Sequence, residues 1–284
     1  MQFEPATPFQ NFGLRVKGLK LSEMSKAQSL VISSALYNNA FIVFESQKLS
    51  ELEFIKFGKS FGDLNIFVDK EYTHPEFPEI FVVSNIKING KRFGMDRVGL
   101  YWHSDCSFLR EPQPLTMLSC QECPPKGGET AFIDMRQVWR ELDSELVSDL
   151  RKLSCEHQGQ TRYIICEKDV GMSIKEVIDR DLEHLPKVIH PAHVVHPIAK
   201  TEALYVNEGF TSRILNSEQL KSSKILDYLF SRIENEAFHY KHVWNKNEII
   251  IWDNRSVVHK AYPVNEGNQK LMHRLGINDG SFFG

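Results

Sequence analysis

The sequence predicts an α+β fold in which helices flank and interrupt a core built as a β-barrel or sandwich. Two observations lead to this class. Four segments repeat their apolar residues at helical intervals, and from Ile80 onward short apolar or alternating runs are bounded by turn residues. In addition, no repeat, low-complexity tract or Pro/Gly-rich linker divides the chain. We therefore expect a single domain over residues 1–284.

The expected helices share a spacing of three or four residues between apolar positions. They are Ser25–Asn38, Leu49–Phe61, Met135–Leu153 and Ser217–Glu236. The second begins with a Ser-x-x-Glu capping box at Ser50 and Glu53. In the first helix we expect the face that packs on the core to carry Ala27, Leu30, Val31, Ser34 and Ala35. In the last helix we expect one face to carry Leu220, Ile225, Leu226, Leu229 and Ile233.

The expected strands are short apolar or alternating runs between turn residues, a pattern typical of buried and half-buried strands. They are Phe41–Phe44, Ile80–Val83, Leu115–Cys120, Thr130–Ile133, Ala203–Val206, Glu248–Trp252 and Leu275–Ile277. Helical segments flank and interrupt these strands. This order favours a β core with helical insertions.

Composition and charge argue against several classes of function. Hydrophobic residues make up 42% and charged residues 25% of the chain, so a full core needs no metal or disulfide support. The net charge is −3, and Lys and Arg are scattered, so we expect no nucleic-acid partner. No apolar run approaches the roughly 20 residues that span a bilayer, and the N-terminus lacks the order of a signal peptide. We expect a cytoplasmic protein without a membrane segment.

The cysteines indicate a reducing compartment. There are five of them at no framework-like spacing, which does not suit a disulfide scaffold. Cys120 and Cys123 form one Cys-x-x-Cys pair, but no second Cys or His pair follows at zinc-finger distance. We interpret the cysteines as buried free thiols.

One His-x-Asp motif could bind a metal ion. We place His103 and Asp105 at the end of a strand, where residues i and i+2 project to the same face and can reach one ion together. His259 follows an expected strand and a turn, and could supply a third ligand. Two His and one carboxylate on one face of an ion leave three positions open, as non-haem Fe(II) oxygenases require. His-x-Asp alone is common, and a hydrogen-bonded structural role is the alternative.

Five separated blocks resemble the taurine dioxygenase (TauD/TfdA) family of 2-oxoglutarate-dependent oxygenases. They are Trp102–Phe108, Pro124–Thr130, Leu204–Ile214, Trp252–His259 and Met272–Arg274, in the family's order and at its usual spacing. The resemblance implies a double-stranded β-helix, or jelly-roll, core with helical insertions. It also implies an Fe(II) enzyme that uses 2-oxoglutarate as co-substrate and O2 as oxidant.

The resemblance implies roles for individual residues. His103, Asp105 and His259 match the iron ligands, and Thr130 matches the hydroxyl that bonds the distal carboxylate of 2-oxoglutarate. The sequence departs from the family at Lys270, where an arginine usually binds the same carboxylate. Lysine provides a point charge, whereas arginine provides a planar bidentate fork.

The anchor for that carboxylate is therefore either Lys270 or a repositioned Arg274. Arg274 also matches the arginine that faces the substrate's anionic group in taurine dioxygenase, and this match implies an anionic substrate. The alternative role for Arg274 is an ordinary pair with a carboxylate.

Several positions that surround the substrate in the family differ here. Phe67 and Gly99 stand where taurine dioxygenase has a His and an Asn, so both polar contacts to taurine are missing. We expect a pocket that is more apolar and a substrate other than taurine. Tyr163 and Phe210 match positions that line the substrate space, although either could equally be a core aromatic residue.

Two other polar groups have simpler interpretations. His190, His193 and His196 are evenly spaced, but their His-Pro pairs resemble one that the family carries without metal, so we do not expect zinc there. The turn Asp253–Arg255 is expected to shape the chain before His259, because Asp and Asn readily bond their own backbone.

The expected function is an Fe(II)- and 2-oxoglutarate-dependent dioxygenase that hydroxylates a C–H bond of a small organic acid. A same-fold desaturase or hydroxylase of an amino acid or natural-product intermediate is one alternative. A metal-binding jelly-roll module that has lost catalysis is another, and Lys270 is the one hint for it. A homo-oligomer is plausible because family members often associate.

Overall fold

The structure is a computed structural model that describes residues 1–67, 70–163, 165, 169–216, 218–280 and 282–284. Helices and strands are mixed along this part of the chain, which confirms the predicted class. The helices are α1 Lys26–Asn39, α2 Glu51–Lys59, α3 Met135–Arg140, α4 Ser144–Leu150, α5 Ile174–His184 and α6 Gln219–Ile233. The strands are β1 Gln2–Pro5, β2 Leu14–Lys17, β3 Phe41–Phe44, β4 Asp63–Asn65, β5 Phe81–Ser84, β6 Lys87–Ile88, β7 Lys91–Arg92, β8 Leu115–Glu122, β9 Thr130–Asp134, β10 Ser154–His157, β11 Val188–Pro191, β12 His193–Val195, β13 Glu202–Leu204, β14 Thr211–Ile214, β15 His239–His242, β16 Ile249–Asp253, β17 Val257–Ala261 and β18 Leu271–Asn278.

Two sheets face each other at the centre of the molecule. Within the described residues, the larger has the order β1-β2-β3-β16-β8-β18-β4, with β5 also paired to β18, and the smaller has the order β15-β9-β17. A cluster of buried apolar side chains from both sheets fills the space between them. Phe41 of the larger sheet stacks on Phe132 of the smaller sheet, with ring centroids 4.9 Å apart.

Strand alternation decides which residues of β18 face the smaller sheet. Met272 belongs to the cluster between the sheets, whereas Leu275 and Ile277 belong to the cluster on the outer face. Since side chains alternate along a strand, Arg274 and the preceding Lys270 lie on the inner face with Met272. The two cations that the sequence singled out therefore share one side of the sheet.

Helices α1 and α2 cover the outer face of the larger sheet. Ile32 and Leu36 of α1 join Phe54 and Phe57 of α2 in one buried cluster with that face. The predicted capping box of α2 is confirmed. The Ser50 hydroxyl accepts from the backbone N–H of Glu53, and the Glu53 carboxylate accepts from the backbone N–H of Ser50.

The predicted buried face of α1 is wrong. Leu30 is 64% exposed and Val31 50% exposed, whereas Ile32 and Leu36 are completely buried. The helix has apolar residues on more than one side, so periodicity alone could not select the face. Packing selects it, since Ile32 and Leu36 lie in one cluster with the outward side chains of β3.

The other predicted helices are confirmed in part. The segment Met135–Leu153 forms two short helices, because Asp143 adopts extended backbone angles between them. In α6, Leu226, Leu229 and Ile233 are buried as predicted, and Ile225 is partly buried. Ser217 and the side chain of Leu220 lie outside the described residues.

Each predicted strand is present, β3 with the predicted bounds and the others with shifted ends. The largest shift is in β18, which begins at Leu271 and not at Leu275. This longer strand pairs with β8 over most of its length and brings the chain that follows His259 back into the larger sheet. Within the part of the chain that the structure describes, no helix has the length and apolar character needed to cross a membrane.

Candidate metal centre and its cavity

His103 and His259 are neighbours through their backbones. The backbone N–H of His259 donates to the His103 carbonyl at 2.8 Å, and the N–H of His103 donates to the His259 carbonyl at 3.0 Å. His259 lies within β17, but His103 makes only this isolated bridge, so its predicted position at the end of a strand is wrong. The reciprocal pair of hydrogen bonds places the two imidazoles side by side, with ring centroids 4.1 Å apart.

Asp105 completes a compact group of three buried donors. One ligand atom from each of His103, Asp105 and His259 lies within 4.8 Å of the others. The Nε2 atom of His103 is 3.6 Å from Asp105 Oδ1, and that of His259 is 3.7 Å from Asp105 Oδ2. Within the described residues, this is the one group of His, Cys, Asp or Glu that could coordinate an ion.

The hydrogen bonds indicate which ring nitrogens are available. His103 Nδ1 is 2.9 Å from the Tyr101 carbonyl, and only a protonated nitrogen can donate there, so its Nε2 presents a lone pair toward Asp105. This is the usual way in which a metal-ligating imidazole is oriented. For His259, the structure shows no partner for the buried Nδ1 atom among the described residues. The donor set of two imidazoles and one carboxylate fits Fe(II).

The protonation states also suit a metal. Burial alone would raise the pKa of Asp105, but Arg274 and the two imidazoles more than offset it and hold the pKa well below its usual range. Burial, helped by the neighbouring His103, lowers the pKa of His259 well below its usual value. At neutral pH the site therefore presents an anionic carboxylate beside a neutral imidazole at His259, which are the forms that bind metal.

Arg274 occupies the floor of the cavity beside this group. Its Nη2 atom lies 3.0 Å from Asp105 Oδ1. Its guanidinium carbon lies 5.8 Å from the ring centroid of Phe67 and 5.7 Å from that of Phe81, and these centroids are 4.5 Å apart, so both rings lie on the same side of the charge. The remaining donors of Arg274 lie at a large cavity of about 2030 Å³.

The cavity has aromatic walls next to the metal group. Phe210 lies 6.1 Å from His103, 5.8 Å from Tyr101 and 4.7 Å from Phe108, measured between ring centroids. Phe67 lines the opposite part of the cavity with Phe81. Arg274 is the buried cation among the described lining residues, and partly buried charged side chains such as Arg162 and Arg180 line the same cavity.

Glycine is required at two places where the chain approaches His103. A Cβ on Gly99 would lie 2.6 Å from His103 Cε1, and Gly99 also has a φ of +69°. A Cβ on Gly209 would lie 3.0 Å from the Cβ of His103. The lost polar contact expected at Gly99 therefore has a steric reason, because the imidazole occupies that space.

Tyr163 lines the cavity, but its hydroxyl is already engaged. It is 3.0 Å from Asp169 Oδ1 and accepts from Arg180 Nη2 at 2.8 Å. Tyr163 thus presents its ring to the cavity and fixes its hydroxyl in a charged cluster at the wall.

Lys270 lies deeper, between the sheets. Its ammonium donates to the Gly128 carbonyl at 2.6 Å, and burial lowers its pKa to about 8. Thr130 follows two residues after Gly128, and its hydroxyl accepts from the Trp244 indole N–H at 3.0 Å. Sequence reasoning missed Trp244, which lies 114 residues from Thr130 and carries no recognisable motif.

The three evenly spaced histidines and the Cys-x-x-Cys pair do not form a second metal site among the described residues. His190 bonds the Leu109 carbonyl, His193 stacks on Trp139, and His196 bonds Asp253. Cys120 is buried and Cys123 is partly buried, both as free thiols.

A family model described as taurine catabolism dioxygenase TauD, TfdA family matches residues 2–275. An alpha-ketoglutarate-dependent 2,4-dichlorophenoxyacetate dioxygenase of Cupriavidus pinatubonensis is 27% identical, over 88% of this chain and 88% of its own length. Pentalenolactone F synthase of Streptomyces arenae is 28% identical, over 93% of this chain and 89% of its own length. A crystal structure of a taurine dioxygenase from Burkholderia xenovorans has a TM-score of 0.80 at 20% identity, covers 97% of this chain and 88% of its own, and shows the shared fold.

Proposed function

The chain belongs to the taurine catabolism dioxygenase TauD, TfdA family, and on that premise we propose that it oxidises a C–H bond of a small anionic organic acid. It is an Fe(II)- and 2-oxoglutarate-dependent dioxygenase, and the relatives that it matches include proteins named as alpha-ketoglutarate-dependent dioxygenases. The observation that carries the proposal is the buried group of His103, Asp105 and His259, of which His103 and Asp105 line the cavity together with Arg274.

The metal site is proposed to consist of these three side chains. Bound Fe(II), 2-oxoglutarate and O2 together supply the oxidation of the substrate. The role of the chain is to position the reactants. Two imidazoles and a carboxylate leave part of the ion open, and the rings of Phe210 and Phe108 line the cavity beside His103.

We assign the distal carboxylate of 2-oxoglutarate to Lys270 and Thr130. Both residues face the space between the sheets, and the Lys270 ammonium bonds the carbonyl two residues before Thr130. Lys270 immediately precedes β18, and Arg274 lies within it four residues later, which corresponds to about 13 Å at the usual rise of an extended chain. Arg274 bonds the metal ligand Asp105. The assignment requires the keto acid to extend from the metal group toward Lys270 along the inner side of the larger sheet.

Trp244 supports the assignment of Thr130. The indole N–H can only donate, so it occupies a lone pair of the Thr130 hydroxyl oxygen. The hydroxyl proton is then free to donate to a carboxylate oxygen, which is the role proposed for it.

We propose that the substrate's anionic group binds Arg274 and that its carbon skeleton packs against Phe67, Tyr163 and Phe210. All four line the same cavity. Phe67 leaves no polar side chain where taurine needs one, which favours an apolar acid over taurine. The relative named for 2,4-dichlorophenoxyacetate uses a substrate of this kind, a carboxylate with an apolar ring.

The finer description of the fold is also proposed. Two sheets that face each other across one apolar cluster, with helices on the outside, support a double-stranded β-helix core. A single domain over residues 1–284 agrees with the family match to residues 2–275.

A substrate screen tests the proposal. The purified protein is loaded anaerobically with Fe(II) and 2-oxoglutarate, then exposed to air with a panel of aryl, alicyclic and aliphatic acids. We expect succinate formation that depends on one of these acids and a product that has gained one oxygen atom. A product that has lost two hydrogen atoms would indicate the desaturase alternative. Iron binding without succinate formation on any member of a broad panel would contradict the proposed function.

A further inference from the structure

Asp105 is bonded by the protein on both of its carboxylate oxygens. Arg274 approaches Oδ1 at 3.0 Å, and the Thr116 hydroxyl lies 2.6 Å from Oδ2. We propose that Thr116 and Asn254 are positioning residues that fix the orientation of Asp105 for the metal and join the segment of Asp105 to the segment of His259. This inference rests on the proposed metal centre.

Asn254 lies in the turn between β16 and β17 and is 1% exposed. Its Oδ1 atom accepts from the Asp105 backbone N–H at 3.2 Å and from the Trp252 indole N–H at 3.1 Å. Two N–H donors at one atom identify that atom as the oxygen, so the amide orientation is determined. The Nδ2 atom must then face Thr116, and it donates to the Thr116 hydroxyl at 2.9 Å.

The direction of the Thr116 hydrogen bond follows from its neighbours. Asn254 Nδ2 and Gln113 Nε2 both donate to the Thr116 oxygen, the second at 2.6 Å. A hydroxyl has two lone pairs and one proton. With both lone pairs engaged, the proton is directed to Asp105 Oδ2, an acceptor that burial keeps away from water. A short bond to an ionised oxygen is stronger than one between neutral groups.

Asn254 also connects two distant parts of the chain. The Ser104 hydroxyl donates to the Asn254 carbonyl at 2.9 Å, and Asp105 N–H donates to its side chain. His259 follows Asn254 by five residues on the adjoining strand. One buried asparagine therefore fixes the loop of one metal ligand against the turn that leads to another, across 149 residues of sequence.

Glycine preserves the space for this arrangement. A Cβ on Gly276 would lie 2.1 Å from Gln113 Oε1, so a side chain there would displace Gln113 from Thr116. Gly276 is paired with Thr116 in the sheet, which places the two positions side by side.

The test compares two nearly isosteric substitutions with conservative controls. Thr116→Val removes the hydroxyl and keeps the shape, whereas Thr116→Ser keeps the hydroxyl. Asn254→Asp replaces the donor to Thr116 by an acceptor, so the Thr116 proton would turn away from Asp105. Thr7→Val is the matched control, because Thr7 is also buried and its hydroxyl bonds the Phe12 carbonyl in the N-terminal segment.

Metal affinity is the main readout, measured by calorimetric titration of the metal-free protein with Mn(II) or Co(II). We expect Thr116→Val and Asn254→Asp to weaken binding by about 10- to 100-fold, the usual effect of losing a group that orients a ligand. Thr116→Ser and Thr7→Val should bind like the parent. We also expect the Co(II) absorption bands to shift in Thr116→Val, because the carboxylate loses its hydrogen bond.

Thermal unfolding of each metal-free variant separates positioning from folding. If Thr116→Val and Asn254→Asp are folded and bind metal like the parent, the inference is overturned. The same holds if Thr7→Val loses as much metal affinity as Thr116→Val, since general destabilisation would then explain the effect. Failure of the parent protein to bind metal would instead overturn the proposed function.

Discussion

Lys270 and Arg274 lie on the same face of the same sheet, yet their surroundings differ. Arg274 opens onto the cavity, bonds the carboxylate of Asp105 and lies beside two adjacent phenyl rings. Lys270 is enclosed between the sheets and bonds a backbone carbonyl. Alternation along the chain places the charges of Lys270 and Arg274 on one side of the sheet, but the neighbours of each charge determine what it can bind.

The largest expected effect concerns the metal group beside Arg274. Asp105→Ala removes the anionic ligand and leaves Arg274 without its carboxylate, so the site should lose both metal and 2-oxoglutarate. We expect no visible Fe(II)–2-oxoglutarate absorption band under anaerobic conditions and turnover below detection. Asp149→Ala, in α4, is the control and should retain the band. A band of normal intensity in Asp105→Ala would remove this residue from the site.

The second prediction separates the two cations by what they bind. Lys270→Ala should weaken 2-oxoglutarate binding by about 10- to 100-fold, since a hydrogen bond to a charged group typically contributes about 1.5–3 kcal/mol. Arg274→Ala should chiefly raise the KM for the organic acid. Anaerobic titration gives the first quantity and steady-state kinetics the second. Should Arg274→Ala damage 2-oxoglutarate binding more than Lys270→Ala does, the two roles would have to be exchanged.

The sequence predicted the chemistry of these positions better than their surroundings. The motif blocks identified the three metal-ligand candidates, and apolar runs located five strands of the larger central sheet but only β9 of the smaller one. The contacts among Asn254, Thr116 and Asp105 could not be predicted in this way, because they join residues up to 149 positions apart. Spacing reports only which residues share a strand or helix face. It cannot identify which distant side chain completes a hydrogen bond.

The face of α1 illustrates a second limit. Leu30 and Val31 fit the helical period as well as Ile32 and Leu36 do, so the sequence allows two faces. The sheet beneath selects one, and that choice depends on how β3 and β16 present their outward side chains. Packing between elements, which periodicity does not contain, resolved the ambiguity.

The third prediction concerns the pH dependence of 2-oxoglutarate binding at Lys270. Burial lowers the pKa of Lys270 to about 8, so the free enzyme loses this ammonium as the pH rises through that value. The 2-oxoglutarate affinity should be constant below about pH 7 and fall by up to about tenfold per unit above about pH 9. Lys270→Arg should remove this dependence, because a guanidinium stays protonated throughout.

The measurement is the 2-oxoglutarate dissociation constant of both proteins across this pH range. Glu129, Cys120 and Cys123 are the other titratable groups that influence Lys270, and they are unchanged in Lys270→Arg. The difference between the two profiles therefore reports Lys270 alone. Parallel profiles would show that another group causes the pH dependence.

The smallest expected effect concerns Trp244, which bonds Thr130 near Lys270. Trp244→Phe keeps an aromatic ring against the cluster between the sheets and removes the N–H that donates to Thr130. The Thr130 hydroxyl can then rotate, and its proton is no longer directed to the co-substrate. One neutral hydrogen bond contributes about 1 kcal/mol, so 2-oxoglutarate should bind about fivefold more weakly. Metal affinity should not change, because Trp244 acts on Thr130 near Lys270 and not on the metal group at Asp105. A loss of metal affinity equal to the loss of 2-oxoglutarate affinity would show that the contacts around Thr130 also affect the metal group. The separate roles assigned to Lys270 and Arg274 would then be wrong.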